Sequence, residues 1–162
     1  MHDNKTIVEH FYSSFARLDY KAMQDCYHDD ILFSDPVFLN LSGDHVKAMW
    51  QMLCLSAKDW SLSWGDIEEL DEEYITCRWV AHYTFTATGN KVTNKVKAYM
   101  RIRDGKITEH SDAFRLSTWM GQALGWKGVM FGWTGFMKRA VQRKARKRLE
   151  SFMEKHYQVH QH

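Results

Sequence analysis

The stretch Tyr74-Ile-Thr-Cys-Arg-Trp-Val-Ala-His-Tyr-Thr-Phe-Thr86 repeats with a period of two. Ile75, Cys77, Trp79, Ala81, Tyr83 and Phe85 share one side, and Arg78, His82 and Thr84 the other. Successive side chains of a strand point to opposite faces, so this reads as a strand with one apolar and one polar face. Thr88-Gly89-Asn90 follows as a turn. The pattern resumes over 92–103, with Val92, Val96, Ala98, Met100 and Ile102 on one face and Lys95, Lys97, Tyr99, Arg101 and Arg103 on the other. Asp104-Gly105 is a hairpin signal. A last strand is expected from Lys106 to about Leu116, and an earlier one over 60–70.

Upstream the period is helical. Ile7, Val8, Phe11, Phe15 and Leu18 recur at helix spacing, and Thr6 with Glu9 fits a capping box. Asp19 can cap a short helix over 20–27, and Asp44 a third helix to about residue 57, with Val46, Met49, Trp50 and Leu53 inward. Between them, residues 31–39 form an extended apolar run broken by Asp35-Pro36. Proline denies a sheet one donor, so that strand is bent or lies at an edge. Helices followed by alternating strands imply an α+β fold. A curved antiparallel sheet then wraps the N-terminal helices with one face and leaves the other solvated. After the last strand a short helix is expected over 117–124. Five of nine glycines fall in 121–135, which reads as a loop, and a final helix is expected over 135–157.

The 162 residues suit one domain. No apolar run is long enough to cross a membrane as a helix, and the N-terminus shows no secretory signal. Cys26, Cys54 and Cys77 have neither zinc spacing nor an even count. They read as buried thiols in a reducing cytoplasm. The net charge of +2 conceals an asymmetry. Residues 1–112 hold 12 Lys+Arg against 18 Asp+Glu, a net of −6, and residues 113–162 hold 10 against 2, a net of +8.

The segment Cys26-Tyr-His-Asp-Asp-Ile-Leu-Phe-Ser-Asp-Pro-Val-Phe38 resembles the Y-x-D-D-x-x-x-x-D-P segment of the ketosteroid isomerase-like superfamily. That superfamily includes nuclear transport factor 2-like and SnoaL-like proteins. His110-Ser-Asp-Ala-Phe114 and Gln122-Ala-Leu-Gly125 are similar to the SnoaL-like branch. The resemblance covers about residues 5–125. It implies three helices and a curved antiparallel sheet closed into a cone, a cystatin-like architecture. The expected division is a SnoaL-like domain over 1–125, with a glycine/tryptophan loop and a basic helix over 126–162 packed on it.

By this resemblance Asp35 is the general base at the mouth of an apolar cone, where Phe33, Val37 and Phe38 desolvate it. The same aspartate before proline can instead begin a turn. Carried over from Asp-Pro without gaps, the isomerases' oxyanion tyrosine falls on Phe11 and their second donor on Ala98, and neither can donate. Tyr12 is expected on another helix face. Steroid isomerisation of the familiar kind is therefore not expected. Epoxide hydrolysis is disfavoured too, since no Arg-x-Asp lies on the neighbouring strands.

His110 and Asp112 are the replacement candidates, two apart on one strand face. A two-residue loop at Asp104-Gly105 would pair Arg103 with Lys106 and turn both side chains to solvent. A three-residue loop with Gly105 in a bulge would oppose Ala98 to His110 and Val96 to Asp112, inside the cone. The bulge is chosen because it also buries Phe114 and Leu116. His110 then polarises a carbonyl while Asp35 takes the proton. The expected pocket lining is Phe11, Phe15, Phe33, Trp50, Trp79, Tyr83, Ala98, Met100 and Phe114. No cofactor is expected, because no glycine-rich phosphate loop follows a strand. No metal site is expected either, although His156 and His160 stand four apart near the C-terminus.

In the last helix Met137, Val141, Ala145, Leu149 and Phe152 form an apolar stripe, with Arg139, Arg143, Lys144, Arg146 and Lys147 mostly opposite. Trp126, Met130, Phe131, Trp133 and Phe136 read as an apolar clip that docks it. The preferred reading lays this helix on the acidic body or on a dimer partner. Attachment to a membrane surface has the same basic amphipathic pattern. Nucleic acid could be bound through phosphates alone, without a recognition motif. The function expected is an isomerase or cyclase that moves a proton on an apolar carbonyl ligand in the cone of a cytoplasmic homodimer. A non-catalytic apolar-ligand or interaction module is the alternative.

Overall fold

The computed structural model describes residues 3–132 and 134–157. Helices α1 (Asn4–Ala16) and α2 (Tyr20–Asp25) precede strands β1 (Tyr27–Asp35) and β2 (Leu39–Ser42) and helix α3 (Asp44–Ser56). Strands β3 (Ser61–Glu69), β4 (Tyr74–Phe85), β5 (Asn90–Arg103) and β6 (Lys106–Ala113) follow. Helices α4 (Leu116–Leu124), α5 (Trp126–Phe131) and α6 (Gly135–Tyr157) end the described chain. None of the described helices is long and apolar enough to cross a membrane.

Capping differs in detail from the expectation. Asp3, not Thr6, caps α1, accepting the Thr6 N–H at 3.0 Å. Asp19 caps α2 as expected, accepting from Ala22. Asp44 lies within the first turn of α3, behind Gly43. The run 31–39 is two strands. β1 stops at Asp35, the chain turns at Pro36, and β2 returns antiparallel with Leu39 opposite Asp35.

The six strands form one sheet in the order β2-β1-β6-β5-β4-β3. The expected antiparallel run holds for every pair but one, since β1 lies parallel to β6. The curved sheet does not close into a cone, and β2 and β3 remain its edges. Its inner face buries Ile31, Phe33, Ile75, Cys77, Val96 and Met100 against Phe11 and Phe15 of α1 and Met49 and Trp50 of α3.

Residues 121–135 are mainly helical rather than looped. Gly125, at φ +72°, breaks the chain between α4 and α5. Gly128 is required by contact: a β-carbon there would stand 2.0 Å from the Met120 carbonyl oxygen. The glycines thus permit two helices to touch backbone to backbone.

The described residues of the expected apolar clip are exposed rather than buried. Trp126, Val129, Met130, Phe131 and Phe136 are exposed, Trp126 to 68% and Phe136 to 67%. Trp133 lies outside the described residues. α6 is held by its own stripe. Leu149 is fully buried, and Ala145, Phe152 and Met153 pack on the core. Gln142 Nε2 donates to the Pro36 carbonyl at 3.0 Å, and the Tyr157 hydroxyl donates to Gln51 Oε1 at 3.0 Å.

Candidate functional site

The hairpin at Asp104-Gly105 has the two-residue loop, both residues at positive φ, and pairs Arg103 with Lys106. That register alone would turn His110 and Asp112 outward. One residue pair further on, the pairing slips between Ile102↔Ile107 and Arg101↔Glu109, leaving Thr108 unpaired. Its hydroxyl donates to the Arg101 carbonyl at 3.3 Å. This bulge reverses the alternation. Met100 opposes His110, Ala98 opposes Asp112, and both candidate side chains face inward. The expected burial is correct, but the expected loop and the pairing of Ala98 with His110 and Val96 with Asp112 are not.

A continuous chain of hydrogen bonds runs through the core behind Asp112. Trp50 Nε1 donates to the Tyr27 hydroxyl at 2.8 Å. That hydroxyl lies 2.7 Å from His110 Nδ1, and His110 Nε2 lies 2.9 Å from Asp112 Oδ1. Trp79 Nε1 also donates to Asp112 Oδ1, at 3.4 Å. The indole can only donate, so the Tyr27 hydroxyl accepts from Trp50, and both ring nitrogens of His110 are engaged, one by Tyr27 and one by Asp112. The Oδ2 atom of Asp112 has no hydrogen bond among the described residues.

Tyr27 was missed at the level of sequence, although a period of two places it with Ile31, Phe33 and Asp35. Tyr12 lies on a different face from Phe11, and that face is buried too. α1 is buried across a wide arc, from Ser14 through Phe11 to Tyr12, because it is covered on more than one side. The Tyr12 hydroxyl is fully buried and has no hydrogen-bond partner. Burial first, and then the nearby Asp112 charge, hold its pKa well above the ordinary tyrosine value.

Asp112 and Asp35 line one cavity of about 700 Å³. Its other walls include Phe15, Trp50, Trp60, Trp79, Tyr83 and Phe114. Of the expected lining, Phe15, Trp50, Trp79, Tyr83 and Phe114 are present. Phe11 and Ala98 are wholly buried and do not reach it. Phe33 and Met100 are not among its walls; with Leu32, Tyr99 and His110 they border a second, smaller groove of about 260 Å³. His110 stands behind Asp112, boxed by Phe11, Phe33 and Trp50 with ring centroids 5.2–6.1 Å away.

Asp35 forms the turn weighed for it and also stands in the cavity wall. Its Oδ1 accepts the N–H groups of Val37 and Phe38 at 2.9 and 2.6 Å, which forms the turn after Pro36. Its carboxyl also faces the cavity, where desolvation pushes the pKa up to about 6. The Phe38 N–H opposes this, and the Asp112 charge adds to it. The three thiols are buried, which pushes Cys26 and Cys77 up to about 11 and Cys54 to about 12. Among the described residues no cluster of His, Cys, Asp or Glu could hold a metal ion. His156 stacks on Phe152, and His160 lies outside the described residues.

The family model of the SnoaL-like domain matches residues 8–110. The chain belongs to the SnoaL-like domain family. Among solved structures, this SnoaL-like chain is similar to a candidate polyketide cyclase from Pseudomonas putida, with 18% identity, TM-score 0.65, and coverage of 76% of this chain and 99% of that one. It is also similar to a protein of ketosteroid isomerase-like fold from Catenulispora acidiphila, in complex with trimethylamine, with 13% identity, TM-score 0.65, and 75% and 94% coverage. A third is IdmH from Streptomyces antibioticus, a candidate polyketide cyclase, with 19% identity, TM-score 0.63, and 75% and 98% coverage. At such identities the likeness establishes the fold. No curated protein matches the sequence. The SnoaL-like match ends two residues before Asp112 and does not include α6.

Proposed function

We propose that this SnoaL-like protein is an isomerase or cyclase that moves a proton on an apolar carbonyl compound held in the cavity. The carrying observation is that two carboxylates, Asp35 and Asp112, line one cavity walled largely by aromatic side chains. Asp35, with its pKa pushed up to about 6, is the base that removes a proton from the carbon beside the carbonyl. Asp112 is the second proton-handling group, oriented by His110 and Trp79. His110 becomes a positioning residue, because both ring nitrogens are engaged within the protein. Exchange of the α-protons of 2-tetralone in D₂O, followed by NMR, tests this. The protein should accelerate exchange over buffer, and Asp35→Asn should lose roughly 10²–10⁴-fold of that acceleration. Saturable tetralone binding without exchange would replace the enzyme with a ligand-binding module. The reading includes a homodimer through the solvated face of the sheet, where Leu32, Tyr74 and Tyr99 are exposed. Light scattering that gives the monomer mass would reject this part.

A second reading concerns the surface of α5 and the start of α6. Trp126, Val129, Phe131 and Phe136 are exposed there, with Lys127, Arg139 and Arg143 exposed nearby in sequence. Apolar rings beside cations suit the interface of an anionic bilayer. The protein should float with phosphatidylglycerol vesicles and not with phosphatidylcholine vesicles, and Trp126→Ser/Phe136→Ser should stay at the bottom of the gradient. Self-association through the patch, or binding to DNA in preference to vesicles, would overturn this reading.

A further inference from the structure

The cavity has one wall that the family match does not cover. Val141, Lys144, Ala145 and Arg148 of α6 line it. Their spacing of three, one and three places them on one helix face. Lys144 therefore stands on the cavity side, and not opposite the apolar stripe as the sequence pattern suggested. Arg139, Arg143, Arg146 and Lys147 occupy the other side of the helix. α6 is pinned across this wall by Gln142 at Pro36, next to Asp35, and by Tyr157 at Gln51.

Lys144 and Arg148 have no ion-pair partner among the described residues. The charges that act on Asp35 are those of Asp112 and His110, and neither α6 cation contributes. The cavity lining thus holds two carboxylates, Asp35 and Asp112, two cations on its α6 wall that are unpaired among the described residues, and aromatic side chains.

We propose that the ligand is an amphipathic anion: an apolar body with a carboxylate, sulfonate or phosphate group. Lys144 and Arg148 take the anionic end, and the body extends toward Asp35 and Asp112. This rests on the cavity being the ligand site, as in the reading above, and adds the ligand's charge and orientation. A carboxylate between the two cations replaces water-exposed charge with charge-assisted hydrogen bonds. The repulsion of Asp35 and Asp112 keeps that same group away from them, so the ligand enters in one orientation.

Two fluorescent probes with one skeleton test this. 8-Anilino-1-naphthalenesulfonate carries an anionic group, and N-phenyl-1-naphthylamine lacks it. In the full chain, Lys144→Gln/Arg148→Gln should raise the Kd of the sulfonate roughly five- to tenfold and leave that of the neutral amine within about twofold. Arg146→Gln/Lys147→Gln removes the same charge from the far side of α6, and should leave both probes within about twofold. Equal weakening of both probes by the first pair, or equal effects of the two pairs on the sulfonate, would overturn the proposal. Tight binding of the amine with no preference for the sulfonate would overturn it and leave the cavity as an apolar site. Binding of neither probe would overturn the cavity reading as well.

Discussion

Asp35 links a local turn to a pH dependence. Its carboxyl has a folded-state pKa of about 6, against 3.8 for an ordinary aspartate. Between those values the folded protein holds more protons than the unfolded chain. Stability therefore falls as pH rises from about 4 through 6, and the loss is complete above that range. Asp35→Asn should flatten this slope and raise stability at pH 7 by about 2 kcal/mol, measured by urea unfolding across pH 4–7. The same variant should lose the proton-transfer activity that, in the wild type, rises through pH 6. Tyr12 gives a related signature. Its buried hydroxyl has no partner, so Tyr12→Phe removes a desolvated donor and should leave stability unchanged or raise it by about 1 kcal/mol. Tyr27→Phe, by contrast, strands both the Trp50 N–H and His110 Nδ1, and should cost roughly 2–4 kcal/mol. The two tyrosines show the reach of sequence patterning at this scale. Alternation put His110 and Asp112 on one face, the family resemblance supplied Asp35, and a period of two could have found Tyr27. A narrow-stripe picture of α1 could not find Tyr12, because the helix is covered on more than one side.

At the scale of elements, the inward aim of His110 and Asp112 depends on one inserted residue. The loop at Asp104-Gly105 obeys the simplest hairpin rule, and Thr108 then undoes its consequence. The turn itself was legible in the sequence, but a bulge was expected at Gly105 instead of the two-residue loop. Its true place was not legible, because nothing in Lys106-Ile-Thr-Glu marks which residue will go unpaired. The bulge lets β6 offer a carboxylate and an imidazole to the core while its hairpin stays tight. The contact between α4 and α5 had a similar ambiguity. Glycines signalled a loop, whereas Gly128 serves close packing. Gly128→Ala would press a methyl group onto the Met120 carbonyl, and should cost at least about 2 kcal/mol by thermal unfolding. Gly121→Ala is the matched comparison. Its β-carbon would meet only the Val129 side chain, at an ordinary 3.5 Å, so it should be neutral or mildly stabilising.

At the scale of the whole molecule, the acidic body and the basic tail invite an electrostatic account of how α6 is held. The contacts favour a different one. No ion pair joins α6 to the rest of the chain among the described residues, and its one ion pair, Arg146 with Glu150, is internal. The helix is held instead by Leu149, fully buried, with Ala145, Phe152 and Met153 beside it, and by two neutral hydrogen bonds at Pro36 and Gln51. Apolar burial does not weaken as salt screens charge. Raising ionic strength from about 0.05 to 0.5 M should therefore leave Tm unchanged or slightly higher, with α6 still in place. Leu149→Ala opens a cavity under the helix and should cost about 3 kcal/mol. For a chain of this length that lowers Tm by roughly 5–10 °C in a single transition. A salt-induced early transition, with Leu149→Ala silent, would mean that charge rather than packing holds α6. Because α6 also walls the cavity, the same substitution should weaken binding of the neutral amine probe. The salt increase should weaken only the sulfonate, since salt reaches the cations at the wall and leaves the packing beneath them intact.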